Sequence, residues 1–145
     1  MTTLRHFLEA NGFYRKPLKK LNTGHYKLDL KVNGQYGSFI LDSGASSSCI
    51  GIHAHEGFGL ESHESDVTAA GAGATGMEAS VSNETPLDID GRVYRKVVFV
   101  LFDLSHVNQA LDSVGEGAVD GILGADLLKR FRAVIDYGRN ALYFK

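Results

Sequence analysis

Residues 39–50 have the sequence FILDSGASSSCI, and they contain a strand that ends at an acid. The apolar residues 39–41 predict a buried strand, and Asp42 follows directly. A carboxylate at the end of a buried strand loses hydration, so it requires hydrogen bonds or a catalytic role. Ser43 adds a hydroxyl, and Gly44 lets the backbone turn tightly and direct its N–H groups toward the carboxylate. The stretch therefore predicts that backbone hydrogen bonds fix the Asp42 carboxylate, which can then form half of an acid–base pair.

The composition indicates one globular domain. The chain has 145 residues, of which 43% are hydrophobic and 22% charged, with a formal net charge of -2. The negative charge argues against a nucleic-acid partner. No apolar run reaches the length of a membrane span, the first residues lack a signal-peptide core, and the single cysteine cannot form an internal disulfide. We therefore expect a cytoplasmic protein without a membrane partner.

Alternating apolar residues predict a series of β-hairpins. Residues 25–32 and 35–41 alternate on either side of an Asn-Gly pair, which is the strongest local hairpin signal, and the second strand leads into Asp42. Further hairpins are predicted around the Asp-Gly pair at 90–91 and around residues 138–140. Most of the chain is therefore expected to be β-strand.

The N-terminal segment, residues 1–24, is predicted to be an appendage to a main domain at residues 25–145. A threonine at position 2 or 3 would cap a short helix over residues 4–10. The basic run that follows contains Pro17, which ends any helix, and it predicts a solvated face or a lid over a neighbouring strand edge.

A glycine-rich stretch at residues 67–81, VTAAGAGATGMEASV, predicts a hairpin with a flexible tip. Glycines allow the backbone to approach a ligand closely, and such a hairpin is typical of a flap over a cleft. The residues expected to contact a substrate there are Ala70, Gly71, Ala72 and Gly73.

A second informative stretch, residues 118–132, has the sequence AVDGILGADLLKRFR. Ile122 and Leu123 predict a buried strand, and Gly124 allows another part of the chain to approach closely. Asp126 is expected to cap a helix over residues 127–131 rather than to act as a catalyst. The stretch is predicted to be structural support.

The motif DSGA at 42–45 resembles the active-site loop of the retropepsin-like aspartic proteases, whose motif is Asp-Thr/Ser-Gly-Ala. The motif ILG at 122–124, followed by an acid and Leu-Leu, resembles the second motif of that family, in which the strand packs behind the catalytic loop. The resemblance spans residues 26–145 in consistent order. It implies an all-β, closed barrel-like acid-protease domain with one main helix near the C-terminus.

The resemblance also implies an aspartic endopeptidase that hydrolyses a peptide or protein substrate without a cofactor or metal. In such enzymes two carboxylates share one proton, one activating water and the other polarising the scissile carbonyl. The chain contains one Asp-Ser/Thr-Gly motif, so the second carboxylate is expected from Asp42 of a second copy in a homodimer. The family assigns Ser43 to a link across the two-fold axis and the Gly44 N–H to the carboxylate pair.

Other hypotheses remain open at this point. The competing one is a monomeric, non-catalytic module of the same fold that binds an extended peptide or a partner protein by its edge. His53, His55 and His63, with Glu56, allow a metal site, although a solvated polar loop is the prediction. Cys49 follows the loop among apolar neighbours, and we expect a core residue rather than a nucleophile.

Overall fold

The computed structural model describes the backbone of residues 1–69 and 77–145 and the side chains of residues 1–64 and 80–145. The described residues are mostly β-strand, as predicted. In chain order the elements are α1 (Leu4–Ala10), β1 (Tyr14–Pro17), β2 (Lys19–Lys20), β3 (Tyr26–Val32), β4 (Gln35–Leu41), β5 (Cys49–Gly51), β6 (Ser62–Ala69), β7 (Met77–Ser82), β8 (Thr85–Ile89), β9 (Arg92–Val97), β10 (Val100–Phe102), α2 (Ser105–Asp112), β11 (Gly121–Leu123), α3 (Ala125–Arg130), β12 (Val134–Asp136) and β13 (Ala141–Phe144). Single 3-10 turns cover Glu56–Phe58 and Tyr137–Arg139.

The strands form one large and one small sheet. The large sheet has the order β6-β7-β10-β5-β11-β4-β3-β8-β9, with β2 added to β3, and the small sheet has the order β1-β13-β12. Closing a barrel requires the first and last strands to pair. Within the described residues no ladder joins β6 to β9, so the expected closed barrel is not found.

The strand β11 lies between β4 and β5, although β4 ends 80 residues and β5 ends 70 residues before β11 begins. It runs parallel to β4, with Leu123 opposite Leu41, and antiparallel to β5, with Ile122 opposite Cys49. Because parallel strands end at the same edge of a sheet, the chain after β4 and the chain after β11 meet there. This arrangement places the two sequence motifs side by side.

The three central strands are buried on both faces. Phe39, Ile50 and Leu123 belong to the larger apolar cluster, which also contains residues of β3, β13 and α3. Their neighbours Ile40 and Ile122 belong to a second cluster on the opposite face, which includes Leu111 and other residues around α2. Continuous apolar runs, rather than alternation, are typical of strands covered on both sides.

The predicted hairpins are confirmed. Asn33 and Gly34 have φ values of 50° and 82°, and Asp90 and Gly91 have φ values of 50° and 100°. Two consecutive positive φ values are those of the type I′ turn, whose twist matches that of the paired strands. The third hairpin joins β12 to β13, and Asn140 there has φ 51°.

The N-terminal segment contributes to both sheets. The helix α1 begins after Thr3, whose side chain accepts a hydrogen bond from the His6 N–H, and Leu8 packs on residues of β13. The strands β1 and β2 pair with β13 and β3 respectively. The division of the chain at residue 24 remains a prediction.

The helix expected over residues 127–131 spans Ala125–Arg130, and with six residues it is shorter than the eight of α2. It is therefore not the main helix of the chain. Arg132 has φ 53°, a left-handed conformation that ends the helix. Within the described part of the chain, no helix has the length and apolar character needed to cross a membrane.

Candidate active site

Asp42 is held at the end of β4 by backbone hydrogen bonds. Its own N–H donates to the Leu123 carbonyl at 2.9 Å, and the Gly44 N–H donates to its carboxylate oxygen Oδ1 at 2.9 Å. The Ala45 N–H donates to the Asp42 carbonyl at 3.1 Å and closes the turn. The carboxylate is half-buried, whereas Ser43 and Gly44 are exposed. One carboxylate oxygen thus has a fixed donor and the group remains accessible.

Among the residues whose side chains are described, the charge on Asp42 has no ion-pair partner. No lysine or arginine of the described residues forms an ion pair with it. The half-buried carboxylate therefore remains accessible to water and to a polar group brought from outside. This accessibility suits acid–base chemistry better than a purely structural role.

A cavity of about 140 Å³ opens beside Asp42 and Ser43. Its walls come from three distant parts of the chain, namely the loop before β3, the end of β4 and the segment around β12. They are formed by Gly24, His25, Tyr26, Leu41, Ile135 and Tyr137, together with Asp42 and Ser43. The cavity therefore brings residues from distant parts of the chain next to the DSGA motif.

Hydrogen bonds hold two of these walls in place. The Tyr26 hydroxyl lies 2.8 Å from Asn140 Oδ1 and 3.1 Å from the Tyr137 carbonyl, two acceptors for its single proton. The His25 Nδ1 lies 2.8 Å from the Thr23 hydroxyl oxygen. Sequence reasoning missed these residues, because nothing local indicates that positions about 110 residues apart share one cavity.

The ILG motif supports the loop from behind. A Cβ on Gly124 would lie 2.7 Å from the Ala45 carbonyl oxygen and 3.0 Å from backbone atoms of Ser47, so only glycine fits without displacing the loop. The Ala125 N–H donates to the same Ala45 carbonyl at 2.7 Å. The first residues of α3 are therefore in direct contact with the loop that carries Asp42.

The prediction that Asp126 caps α3 is wrong. The N-cap is Gly124, and Asp126 lies inside the first turn because the helix begins two residues earlier than predicted. Its Oδ1 accepts from the Leu127 N–H at 2.8 Å, and from the N–H and the hydroxyl of Ser48 at 2.9 and 2.7 Å. Ser48 is completely buried, and its oxygen accepts from the Gly124 N–H at 2.8 Å. Asp126 thus ties the helix to the loop.

The flap lies partly outside the described residues. The strands on either side of it are present as β6 and β7, whose backbones pair from Ser62 and Ser82 to Ala69 and Met77. The four residues expected to contact substrate, Ala70, Gly71, Ala72 and Gly73, lie outside the described residues, and their role remains a prediction.

The alternative chemistries find no support in the geometry. Cys49 is buried, as predicted, and burial raises the pKa of its thiol to about 12, so it is protonated and not a nucleophile at neutral pH. No group of three or more His, Cys, Asp or Glu residues in the described ranges is placed to hold a metal ion. His55 instead lies 2.7 Å from the Ile52 carbonyl through Nδ1, and His63 lies 3.8 Å from Glu61.

Several solved structures share the fold, and three of them illustrate the similarity to this chain. A retropepsin-like aspartic protease from Rickettsia conorii matches with a TM-score of 0.60 and 17% identity, over 91% of this chain and 91% of that one. The EIAV protease complexed with the inhibitor HBY-793 matches with a TM-score of 0.56 and 16% identity, over 76% of this chain and 90% of that one. The retroviral protease-like domain of Ddi1 from Leishmania major matches with a TM-score of 0.55 and 23% identity, over 82% and 84%.

No curated protein matches the chain. A family model described as aspartyl protease, however, matches residues 28–127. That range runs from β3 to α3 and contains both the DSGA loop and the ILG motif that packs against it. The match covers most of the chain, and the chain has the retropepsin-like fold. The chain therefore belongs to the aspartyl protease family.

Proposed function

We propose that the protein is an aspartic endopeptidase, with two Asp42 carboxylates of a homodimer as its catalytic groups. The observation that carries the proposal is the position of Asp42. The Gly44 N–H holds its carboxylate at 2.9 Å, the residue lines a cavity, and no ion pair to it is formed by the described residues. The single cysteine, which leaves no internal disulfide, supports a reducing, cytoplasmic compartment for this activity.

The chemistry follows from two carboxylates that share one proton. The ionised Asp42 takes a proton from water as the water oxygen attacks the carbonyl carbon of the scissile peptide bond. The protonated Asp42 of the other copy donates its proton to the carbonyl oxygen, which gives a diol. The first Asp42 then passes the proton it took from water to the amide nitrogen, the C–N bond breaks, and the second Asp42 takes a proton back from the diol. The reaction needs no cofactor. Ser43 is assigned to the contact between the two loops, and Gly44 to orienting the carboxylate.

The free edge of the small sheet is the proposed docking position of the second copy. Its strand β12 has one neighbour, β13, within the described residues, so its other edge can pair with another strand. Ile135 of β12 and Tyr137 after it line the Asp42 cavity, and the Tyr137 side chain is 73% exposed. A second chain that approaches along this edge would therefore lie next to Asp42.

An extended peptide is the substrate class that suits this site. It would lie in the cleft between the Asp42 loops and the flap strands, and its backbone would pair with the flap as an added strand. Ala70, Gly71, Ala72 and Gly73 are assigned to that contact, because small residues allow the backbones to approach.

The test is peptide cleavage with and without the Asp42 carboxylate. A mixture of unstructured peptides is incubated at mildly acid and at neutral pH with the native protein and with Asp42→Asn, which preserves shape and removes the charge. Asp112→Asn, an exposed aspartate at the end of α2, is the matched control. We expect cleavage by the native protein and the control, and none by Asp42→Asn. Cleavage that survives this substitution refutes the assignment.

The competing function is a monomeric, non-catalytic peptide-binding module. The observation that favours it is the pairing of β1 with β13, which joins the two ends of one chain in a sheet without a second copy. Sedimentation velocity over a wide concentration range separates the two functions. A strict monomer that binds peptides equally well with Asp42→Asn would establish the module, whereas a dimer with cleaving activity would exclude it.

A further inference from the structure

A second cavity, of about 380 Å³, is lined by residues of β1, β2 and β3. It shares no lining residue with the Asp42 cavity. Three of its four charged lining residues are lysines, although the chain as a whole has a net charge of -2. The lining consists of Lys16, Pro17, Lys19, Lys27, Leu28 and Asp29.

The cavity lies at a gap in the large sheet. On the edge of β3 that faces away from β4, Lys27 pairs with Lys19 of β2, and Lys31 and Val32 pair with β8. These registers leave residues 28–30 of β3 without a strand partner on that edge, among the residues the structure describes. An unpaired strand edge exposes N–H and C=O groups that can bind an added strand.

Lys19 and Lys27 lie directly opposite each other in the β2–β3 ladder. Side chains at such positions have Cβ atoms about 5 Å apart, and like charges there destabilise the pairing. No described carboxylate forms an ion pair with either lysine. An anion seated between the two ammonium groups would remove this repulsion.

The positive charge of the third lysine, Lys16, is balanced by an ion pair. Lys16 donates from Nζ to Asp90 Oδ1 at 2.9 Å, and its side chain is 16% exposed, so it forms a fixed wall toward the β8–β9 turn. Asp29 offsets one of the two remaining positive charges. The cavity therefore has an excess of about one positive charge, which matches a carboxylate better than a doubly charged phosphate.

We propose that this gap binds a short extended segment of an acidic peptide. Its backbone pairs with β3 at residues 28–30, and one Asp or Glu side chain places its carboxylate between Lys19 and Lys27. The ring of Pro17, which is exposed, provides apolar contact. The volume falls in the range of about 300–1,000 Å³ that is typical of ligand sites.

The experiment measures binding of a capped hexapeptide of alternating Glu and Val by calorimetry and by amide chemical shifts. The same peptide with Gln in place of Glu tests the charge, and inorganic phosphate tests a small-anion site. All measurements use Asp42→Asn protein, so that cleavage does not interfere. Because the two cavities share no residue, this background separates the result from the proposed protease function.

Lys19→Glu is the decisive variant, because it places an acid opposite Lys27 and should not lower the melting temperature. We expect it to weaken binding of the Glu peptide by about tenfold or more, since it repels the carboxylate. Lys20→Glu, on the same strand but opposite Tyr26 and outside the cavity, is the control and should change binding by less than about twofold.

The expected result is binding of the Glu peptide with shifts at residues 28–30, weaker at high salt and lost with Lys19→Glu. Three results would overturn the proposal: no binding of the Glu peptide, equal binding of the Gln peptide, or equal losses with Lys19→Glu and Lys20→Glu. Phosphate binding as tight as that of the peptide would assign a small-anion site instead and would also overturn it.

Discussion

The buried hydroxyl of Ser48 donates a hydrogen bond of 2.7 Å to the carboxylate of Asp126, and this bond joins the loop after β4 to the first turn of α3. The same oxygen accepts from the Gly124 N–H, so one side chain connects both motifs of the family. Asp42 lies six residues before Ser48, at the other end of that loop. The position of the proposed catalytic carboxylate therefore depends on a contact that is itself inaccessible to substrate.

Ser48→Ala should destabilise the protein by about 1–3 kcal/mol, because it leaves the buried Gly124 N–H without its acceptor. Urea denaturation measures the change. Ser46→Ala, an exposed serine in the same loop, is the control and should have little effect. If both variants unfold at the same urea concentration as the native protein, the connection between the motifs contributes nothing to stability.

Gly124→Ala should cost about 1–3 kcal/mol, because the added methyl group meets backbone atoms of Ala45 and Ser47 that cannot move independently of the loop. Gly117→Ala is the matched control, since a Cβ there has no atom within 4 Å. In a peptide-cleavage assay at a temperature where both variants are folded, Gly124→Ala should also lower kcat more than KM. Equal stability of the two variants would contradict the close approach.

Cys49 should resist thiol reagents at pH 8 in the folded protein and react readily in denaturant. Burial raises its pKa from 9.0, the value expected when unfolded, to about 12. Because the folded thiol holds its proton more tightly, its contribution to stability is fully present below about pH 9 and is lost as the pH rises toward 12.

The measurement is the free energy of unfolding from pH 7 to 11, compared between the native protein and Cys49→Ala. Lysines and tyrosines titrate in both proteins, so the difference isolates the thiol. The native protein should lose more stability over this range than the variant. Parallel curves would show that Cys49 does not have a raised pKa.

If each active site needs two native chains, the activity of a mixture is proportional to the square of the fraction of native chains. Native protein and Asp42→Asn are mixed and allowed to exchange at constant total concentration. With equal amounts, about one quarter of the activity should remain if both Asp42 residues are required, and about one half if each chain acts alone. The same mixture made with Asp112→Asn should retain full activity.

Sequence patterns predict the turns and the N-terminal helix, because a few neighbouring residues determine these elements. The Asn-Gly and Asp-Gly pairs form the turns of the expected hairpins, and the expected helix is capped by Thr3, one of the two threonines considered. The sequence predicts a start of α3 that is two residues too late, because an acid before Leu-Leu is also the pattern of an N-cap. The Asp126 carboxylate also accepts from the N–H and the hydroxyl of Ser48, 78 residues earlier, a contact that no local pattern indicates.

The sequence by itself determined the acidic turn at the end of a buried strand and the order of hairpins around it, because turn chemistry and apolar runs act within a few residues. The tertiary structure decided what surrounds that turn. Insertion of β11 between β4 and β5 brings Asp126 to Ser48, and the small sheet brings Tyr137 to the cavity beside Asp42. Such contacts depend on which strands pair, and pairing is set by burial of apolar faces over the whole chain.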